Sequence, residues 1–257
     1  MKKVKQLNDY QFERFSRQII LDKIGEEGQL KIMNSSILII GCGGLGTTAA
    51  TFLAMSGVTN LGLVDFDKVS LSNLNRQLLF NENDIGAKKI DVLGKKLFCI
   101  NPNIKLKLFD AKFSKTNHHE VLKNYKIILD CTDNFLTRYE INRNCFLNKK
   151  VLVSGALYNY EIQLIAFKAW ANKNFPCYNC IFPQNKKQTV GNCNDQGIIS
   201  SVAGIGGLLQ ANMALNIITD NKIGRFKELV IFNCETNKST NIKIEKNHSC
   251  KICKLAN

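Results

Sequence analysis

Gly41-Cys-Gly-Gly-Leu-Gly46 satisfies the spacing G-x-G-x-x-G through Gly41, Gly43 and Gly46, with Gly44 inside the same turn. Glycines so placed let the backbone approach a phosphate, and a helix opening there presents unpaired N–H groups and a partial positive charge. Asp65 stands 19 positions beyond Gly46, where a ribose hydroxyl needs an acceptor. NAD, FAD and ATP all suit such a loop, and a tight strand-to-helix turn that binds nothing has the same glycines. Further on, Ser72-Asn73-Leu74-Asn75-Arg76-Gln77 and Gly86-Ala87-Lys88-Lys89 add an arginine and a lysine. Hydride transfer needs no cations beside the phosphates. Attack on a phosphate does, because charge on the α-phosphoryl group and the leaving pyrophosphate must be stabilised in the transition state. One cation about 4 Å from a phosphate oxygen is worth roughly 4 kcal/mol at an effective dielectric of about 20. Taken singly, Arg76 and Lys89 are also ordinary solvated charges.

A third group is Asp130-Cys-Thr-Asp133-Asn134. Asp133 is suited to Mg²⁺, a hard cation that favours carboxylate and phosphate oxygens. It is equally suited to N-cap a helix over Asn134–Leu147. A fourth group is the pair of knuckles Cys177-Tyr-Asn-Cys180 and Cys250-Lys-Ile-Cys253, which supplies four thiolates to a tetrahedral Zn²⁺. The knuckles are 70 residues apart, far beyond the spacing of a zinc ribbon, so spacing alone leaves them joint or unrelated. Joint binding pins the tail, Lys246–Asn257, onto the domain, with His248 a bystander. Cys193 sits in the polar stretch Gly191–Gly197, which suits an exposed crossover loop.

The elements that must position these groups alternate. Ile37–Ile40 is an apolar run of strand length, and Leu45–Ser56 is a crossover helix. Leu61–Asp65, Ile104–Leu108 and Ile127–Asp130 are further strands, and Val151–Ser154 opens a fifth. Between them Ile90, Leu93, Leu97 and Phe98 predict one amphipathic helix, and Phe135, Tyr139 and Phe146 line another. This is the pattern of a parallel sheet built from βαβ units. Glu161–Ala169, Leu229–Asn233 and Thr240–Ile244 alternate polar and apolar residues instead, which predicts antiparallel strands. The expected fold is α/β and Rossmann-like, a mainly parallel sheet with helices on both faces that continues into antiparallel strands in the last third. No linker or repeat divides the chain. It is expected to be a single domain over 1–257, with a nucleotide-binding half (1–155) and a partner-facing half (156–257).

Composition bounds the class. Apolar residues make up 45% and charged residues 22% of 257, which excludes wholesale disorder and fibrous repeats. The balance of 35 basic against 21 acidic residues gives a net charge of +14, a field that favours polyanions without choosing among them. The N-terminus has basic residues but no apolar run behind them, so it lacks the form of a signal peptide. Cys42, Cys99, Cys131 and Cys145 lie in apolar or periodic segments, where a free thiol acts as a small hydrophobe. Together these point to a reducing cytoplasm rather than a secreted disulfide scaffold. Two uncharged stretches, after Lys31 and after Asp195, are long enough to span a bilayer. Glycines interrupt the first, and Gln210, Asn212 and Asn216 interrupt the second, so both are expected to be buried core and not membrane.

Arg14-Phe-Ser-Arg17-Gln18 is similar to the N-terminal R-[YF]-x-R-Q of the ThiF/MoeB/HesA family. Asp65-Phe-Asp67, Asn101-Pro102, the glycine turn, the Ser72–Gln77 and Gly86–Lys89 segments, Asp130–Asn134 and the paired knuckles follow in that family's order. The resemblance covers nearly the whole chain. These bacterial relatives of ubiquitin-activating enzymes adenylate a small sulfur-carrier protein. It implies that Gly41, Gly43, Gly44 and Gly46 form the phosphate loop and that Asp65 binds the ribose. It implies that Ser72, Asn73 and Arg76 contact the phosphates, with Lys89 beside them. Asp133 then holds Mg²⁺ with Asn134 next to it, and the four knuckle cysteines hold Zn²⁺. Arg17 resembles an arginine that reaches into the neighbouring subunit, which implies a homodimer. Cys193 matches a position sometimes implicated in a covalent link to the activated carrier, although an ordinary loop thiol is the alternative there. The implied activity is ATP-dependent adenylation of the C-terminal Gly carboxylate of a ubiquitin-like sulfur carrier, ThiS- or MoaD-like, in thiamine or molybdopterin biosynthesis. The sequence ends shortly after the second knuckle, so sulfur is expected from a separate sulfurtransferase. Competing readings are an NAD-binding oxidoreductase, a tRNA-modifying relative for which the charge is convenient, and a non-catalytic module. The knuckles disfavour the second, so nucleic acid is not the expected partner.

Overall fold

The computed structural model describes residues 4–184, 197–219 and 226–255. Among these residues eight strands form one sheet in the order β3-β2-β1-β4-β5-β6-β7-β8. They are β1 (Ser36–Ile40), β2 (Asn60–Asp65), β3 (Lys105–Asp110), β4 (Ile127–Asp130), β5 (Val151–Tyr158), β6 (Glu161–Phe167), β7 (Glu228–Asn233) and β8 (Lys238–Lys243). Pairing is parallel from β3 through β5 and antiparallel from β5 through β8. The order reverses at β1, where Ile40 stands opposite Val64 on one side and Asp130 on the other. Open α/β sheets bind ligands at such a point, outside the carboxyl ends of the strands.

The strand runs β1, β2 and β4 are almost wholly buried, as expected of strands covered on both faces. Edge strand β3 is mostly exposed instead. Helix α1 (Asp9–Ile19) is closed by a capping box between Asn8 and Gln11 and packs on α2 (Gly25–Met33). Helix α3 (Gly44–Met55) follows β1 directly, and α4 (Lys89–Ile100) precedes β3. On α4 the buried apolar side chains are Ile90, Val92, Leu93 and Leu97; Phe98 is exposed, contrary to the face expected from the sequence. Its helical position lies beside, not within, the stripe that meets the sheet. Cys99, next to it, is likewise exposed, whereas Cys42, Cys131 and Cys145 are buried.

The short helix α5 (His118–Leu122), then α6 (Phe135–Leu147) and the one-turn α7 (Tyr178–Ile181), complete the elements before α8 (Ser200–Thr219). Helix α8 is long and apolar enough to cross a membrane, yet half of its apolar window is buried, against α3, α2, β5 and β6. Gly206 and Gly207 permit this approach: a Cβ on Gly207 would lie 2.5 Å from the Leu45 carbonyl. Gln210 of α8 is fully buried and donates from Nε2 to the carbonyls of Asp130 and Val153, locking the helix over β4 and β5. The expected buried core for this uncharged stretch is what the structure has.

Candidate nucleotide cleft and cysteine cage

A cleft of about 870 Å³ opens where the sheet order reverses. Gly41, Gly43, Gly44, Asp65, Ser72, Asn73, Arg76, Lys89, Asp133 and Asn134 all line it, so ten of the sequence-derived residues converge there. Backbone geometry explains the glycines. Gly41 has φ +94°, and a Cβ there would sit 2.7 Å from the Cys131 carbonyl. A Cβ on Gly46 would sit 1.9 Å from the Gly41 carbonyl, so Gly46 serves the closeness of turn and helix and does not line the cleft. Gly43 is different: among the described residues its missing Cβ meets only Gln77 Nε2, at 3.9 Å, and the space belongs to the cleft.

Asp65 ends β2 with its carboxylate nearly buried, accepting from the Cys42 N–H at 2.6 Å and the Asp67 N–H at 2.8 Å. Burial lifts its pKa above the ordinary aspartate value, with those two hydrogen bonds and Lys89 pulling the other way. Lys89 is only 5% exposed and pairs with Asp67 at 3.0 Å, so it is not the solvated surface charge that lysines usually are. Its place at the first turn of α4 and a backbone bond to Asp67 hold it over the cleft. Arg76 is half-buried on the loop after the 3-10 turn Leu71–Asn73. Its Nη1 donates to the Ser72 carbonyl at 2.8 Å and to Asn75 Oδ1 at 2.9 Å.

Asp133 does not cap α6. Asn134 does, its side chain accepting from the Thr137 N–H at 2.9 Å. The exposed Asp133 carboxylate takes no partner among the described residues and faces the cleft. The turn that carries it is fixed: Asp130, fully buried, accepts from the Thr132 N–H at 3.1 Å and its hydroxyl at 2.7 Å. Two cleft residues were not singled out from the sequence. Arg138 is buried and donates to the Thr132 carbonyl; it stands four residues after Asn134, a spacing that shares a helix face and was legible. Gln77 is buried, and its Oε1 has no hydrogen-bond partner among the described residues. A polar ligand in the cleft supplies what that atom lacks. Arg17 is exposed on α1 and does not line the cleft of its own chain. Cys193 lies outside the described residues.

The two knuckles meet. Cys177, Cys180, Cys250 and Cys253 bring their sulfurs within 4.8 Å of one another, with neighbouring pairs at 3.9, 3.6 and 3.4 Å. A tetrahedron of sulfurs each about 2.3 Å from a zinc ion has edges of about 3.8 Å, so the donor set fits the metal. Asn179 donates to Cys250 at 3.3 Å and Asn142 to Cys177 at 3.7 Å, the outer support that orients thiolate ligands. His248 is exposed and no part of this group. Phe146, Ala169 and Trp170 pack against the cage and join it to the domain.

The fold and cleft define an open α/β domain with a glycine turn and cationic side chains at the switch point of its sheet. Residues 15–252 match the ThiF family, and the chain belongs to that family. It is 38% identical over 252 residues to an adenylyltransferase and sulfurtransferase MOCS3 of Culex quinquefasciatus, covering 97% of this chain and 57% of that protein. To the MOCS3 of Dictyostelium discoideum it is 38% identical over 250 residues, covering 96% of this chain and 58% of the relative. The chain thus spans somewhat over half the length of these curated relatives. Among solved structures, Escherichia coli MccB with ATP superposes with a TM-score of 0.80 at 21% identity, covering 96% of this chain and 76% of that one. MccB with MccA-N7isoASN superposes with a TM-score of 0.81 at 19% identity, covering 98% and 77%. These likenesses establish the shared fold.

Proposed function

We propose that the protein is an adenylyltransferase that uses ATP to activate the C-terminal Gly carboxylate of a ubiquitin-like sulfur carrier. One observation carries this reading: Arg76, Lys89, Asp65 and the glycine turn share one cleft at the switch point of the sheet. The N-terminus of α3, with Gly43 and Gly44, receives the phosphates, and Asp65 accepts from the ribose hydroxyls. Ser72 and Asn73 sit on the 3-10 turn beside Arg76 and orient the triphosphate. The carrier's carboxylate oxygen attacks the α-phosphorus, and the bond to the bridging oxygen breaks. The products are an acyl-adenylate and pyrophosphate. The nucleophile is already ionised, so no general base is needed; the chain supplies position and charge. Arg76 and Lys89 stabilise the negative charge that builds on the leaving pyrophosphate. Asp133, without a partner among the described residues and facing the cleft, is the side chain suited to holding Mg²⁺ against phosphate oxygens, with Asn134 adjacent.

The cage Cys177, Cys180, Cys250 and Cys253 takes Zn²⁺ and holds the C-terminal tail on the domain. The same reading makes the enzyme a cytoplasmic homodimer, with Arg17, exposed on α1, completing the partner's cleft. The chain then acts as one domain, residues 1–155 binding nucleotide and 156–257 facing the carrier. A separate sulfurtransferase delivers sulfur to the adenylate, and Cys193 is the thiol available for a covalent link. The carrier is MoaD- or ThiS-like. The test is ATP–pyrophosphate exchange with a panel of purified carriers. Exchange dependent on one carrier, lowered about 10²-fold by Arg76→Ala, is expected. Exchange that persists unchanged in Arg76→Ala removes that residue from the chemistry.

A further inference from the structure

We propose that Arg138 is a positioning residue that connects the cysteine cage to Asp133, so that the geometry of the cage sets how well the cleft holds a divalent cation on its nucleotide. The inference rests on the adenylation reading above and concerns residues that reading leaves without a role.

Asn134, Arg138 and Asn142 are spaced i, i+4, i+8 at the start of and along α6 and therefore share one face. That face runs from the cleft to the cage. At the cleft end Asn134 caps the helix. In the middle Arg138 donates through Nη2 to the Thr132 carbonyl and lies beside the Tyr178 hydroxyl, whose ionised form its charge favours. At the far end Asn142, 2% exposed, accepts from the Tyr178 N–H at 3.0 Å and donates to Cys177 Sγ at 3.7 Å. Tyr178 belongs to the first knuckle itself, between Cys177 and Cys180.

Its ring has little freedom. It stands edge-on to Tyr139 and to Phe167, with centroids 5.7 and 6.1 Å away, and packs on Phe182 at 4.9 Å. A displacement of the knuckle therefore moves the hydroxyl that lies beside Arg138. On its other side Arg138 grips the carbonyl of the residue before Asp133, whose N–H and hydroxyl are tied to buried Asp130. Asp133 thus rides on a peptide unit fixed by two buried side chains, while its own carboxylate is left for the cleft. When four thiolates share one cation, the one-turn helix α7 is held and Tyr178 with it. When they do not, Arg138 loses an anchor and the Asp133 turn loosens.

The experiment uses the full chain, ATP, and Mn²⁺ as a spin probe for the divalent site, with affinity read by electron paramagnetic resonance and ATP binding without divalent cation read by calorimetry. Tyr178→Phe keeps the ring and removes the hydroxyl. It is expected to retain its zinc and its metal-free ATP affinity while weakening Mn²⁺ by about 10-fold, the usual effect of losing an outer support. Wild-type protein stripped of zinc by a chelator is expected to show the same loss. Arg138→Lys, which cannot bridge both the Thr132 carbonyl and the tyrosine, is the second variant should the first fold poorly. Unchanged Mn²⁺ affinity in these proteins, with ATP still bound, overturns the coupling and leaves the adenylation reading standing. A wild type that binds no ATP at all overturns both.

Discussion

Gly43 and Gly46 look alike in the sequence, and the structure separates them by what a single methyl group would meet. At Gly46 a Cβ would fall 1.9 Å from the Gly41 carbonyl oxygen and 2.9 Å from its carbon. Neither atom can swing aside, because Gly41 is held by its N–H bond to the Val64 carbonyl and α3 is clamped by α8. Gly46→Ala must push helix from strand, and overpacking of this kind costs about 3 kcal/mol or more. For a chain of this length that lowers Tm by about 6–12 °C. At Gly43, with an ordinary φ of −85°, the methyl meets only Gln77 Nε2, at 3.9 Å, among the described residues. Gly43→Ala costs about 1 kcal/mol or less as a helix N-cap, so its Tm shifts by no more than about 4 °C. Its methyl instead fills space a phosphate needs and spoils a charge-assisted N–H contact, which weakens ATP by about tenfold or more. Thermal melts and calorimetric titration with ATP read both effects. Equal melting of the two variants, or unchanged ATP affinity in Gly43→Ala, would refute the division of labour.

Lys89→Met should reduce pyrophosphate exchange by about 10²–10³-fold, the rate equivalent of losing up to roughly 4 kcal/mol of cation–phosphate attraction. Its melting should change little, because the abandoned Asp67 is half-exposed and rehydrates. ATP affinity should fall on acidification at a higher pH than an ordinary aspartate would give, because burial raises the Asp65 pKa and the protonated form loses an acceptor for ribose. By the same linkage the native state holds this proton more tightly than the unfolded chain, so the group's contribution to stability fades as pH rises through its folded pKa. Asp65→Asn should erase that limb of the affinity profile. Metal analysis should find about one zinc per chain, lost in Cys250→Ser, and limited proteolysis of that variant should cut first in the residues after β8. An intact tail in the metal-free variant would mean that packing by Phe146 and Trp170 suffices to hold it.

Much of this was legible because local rules and global packing agree. The runs that become β1, β2 and β4 are short and mostly apolar, and each begins or ends within a residue of where the sequence places it. The glycine turn and Asp65 are bound to the fold itself, since a βα unit this tight admits no side chain at Gly41 or Gly46. Other features were not local. Phe98 belongs to the apolar spacing of α4 but falls off the stripe that the sheet covers. Asp133 and Asn134 are both good caps, and only the observed bond from Thr137 decides between them. Lys89 reads as a surface charge until α4 is docked over Asp67. The spacing of Arg138 from Asn134 shows a shared helix face, but that the face is buried at Arg138 is decided only by packing.

The sequence alone determined the order of elements, the phosphate-type turn, the acid that follows it and the identity of four candidate thiolate ligands, because each depends on residue type and short spacing. Tertiary structure decided which of these meet. Two knuckles 70 residues apart close on one point only because β7 and β8 return the tail past α7. Charges from separate loops face one cleft only because the sheet reverses its order at β1. Proximity between distant segments is a property of the packed core, and no spacing along the chain encodes it directly.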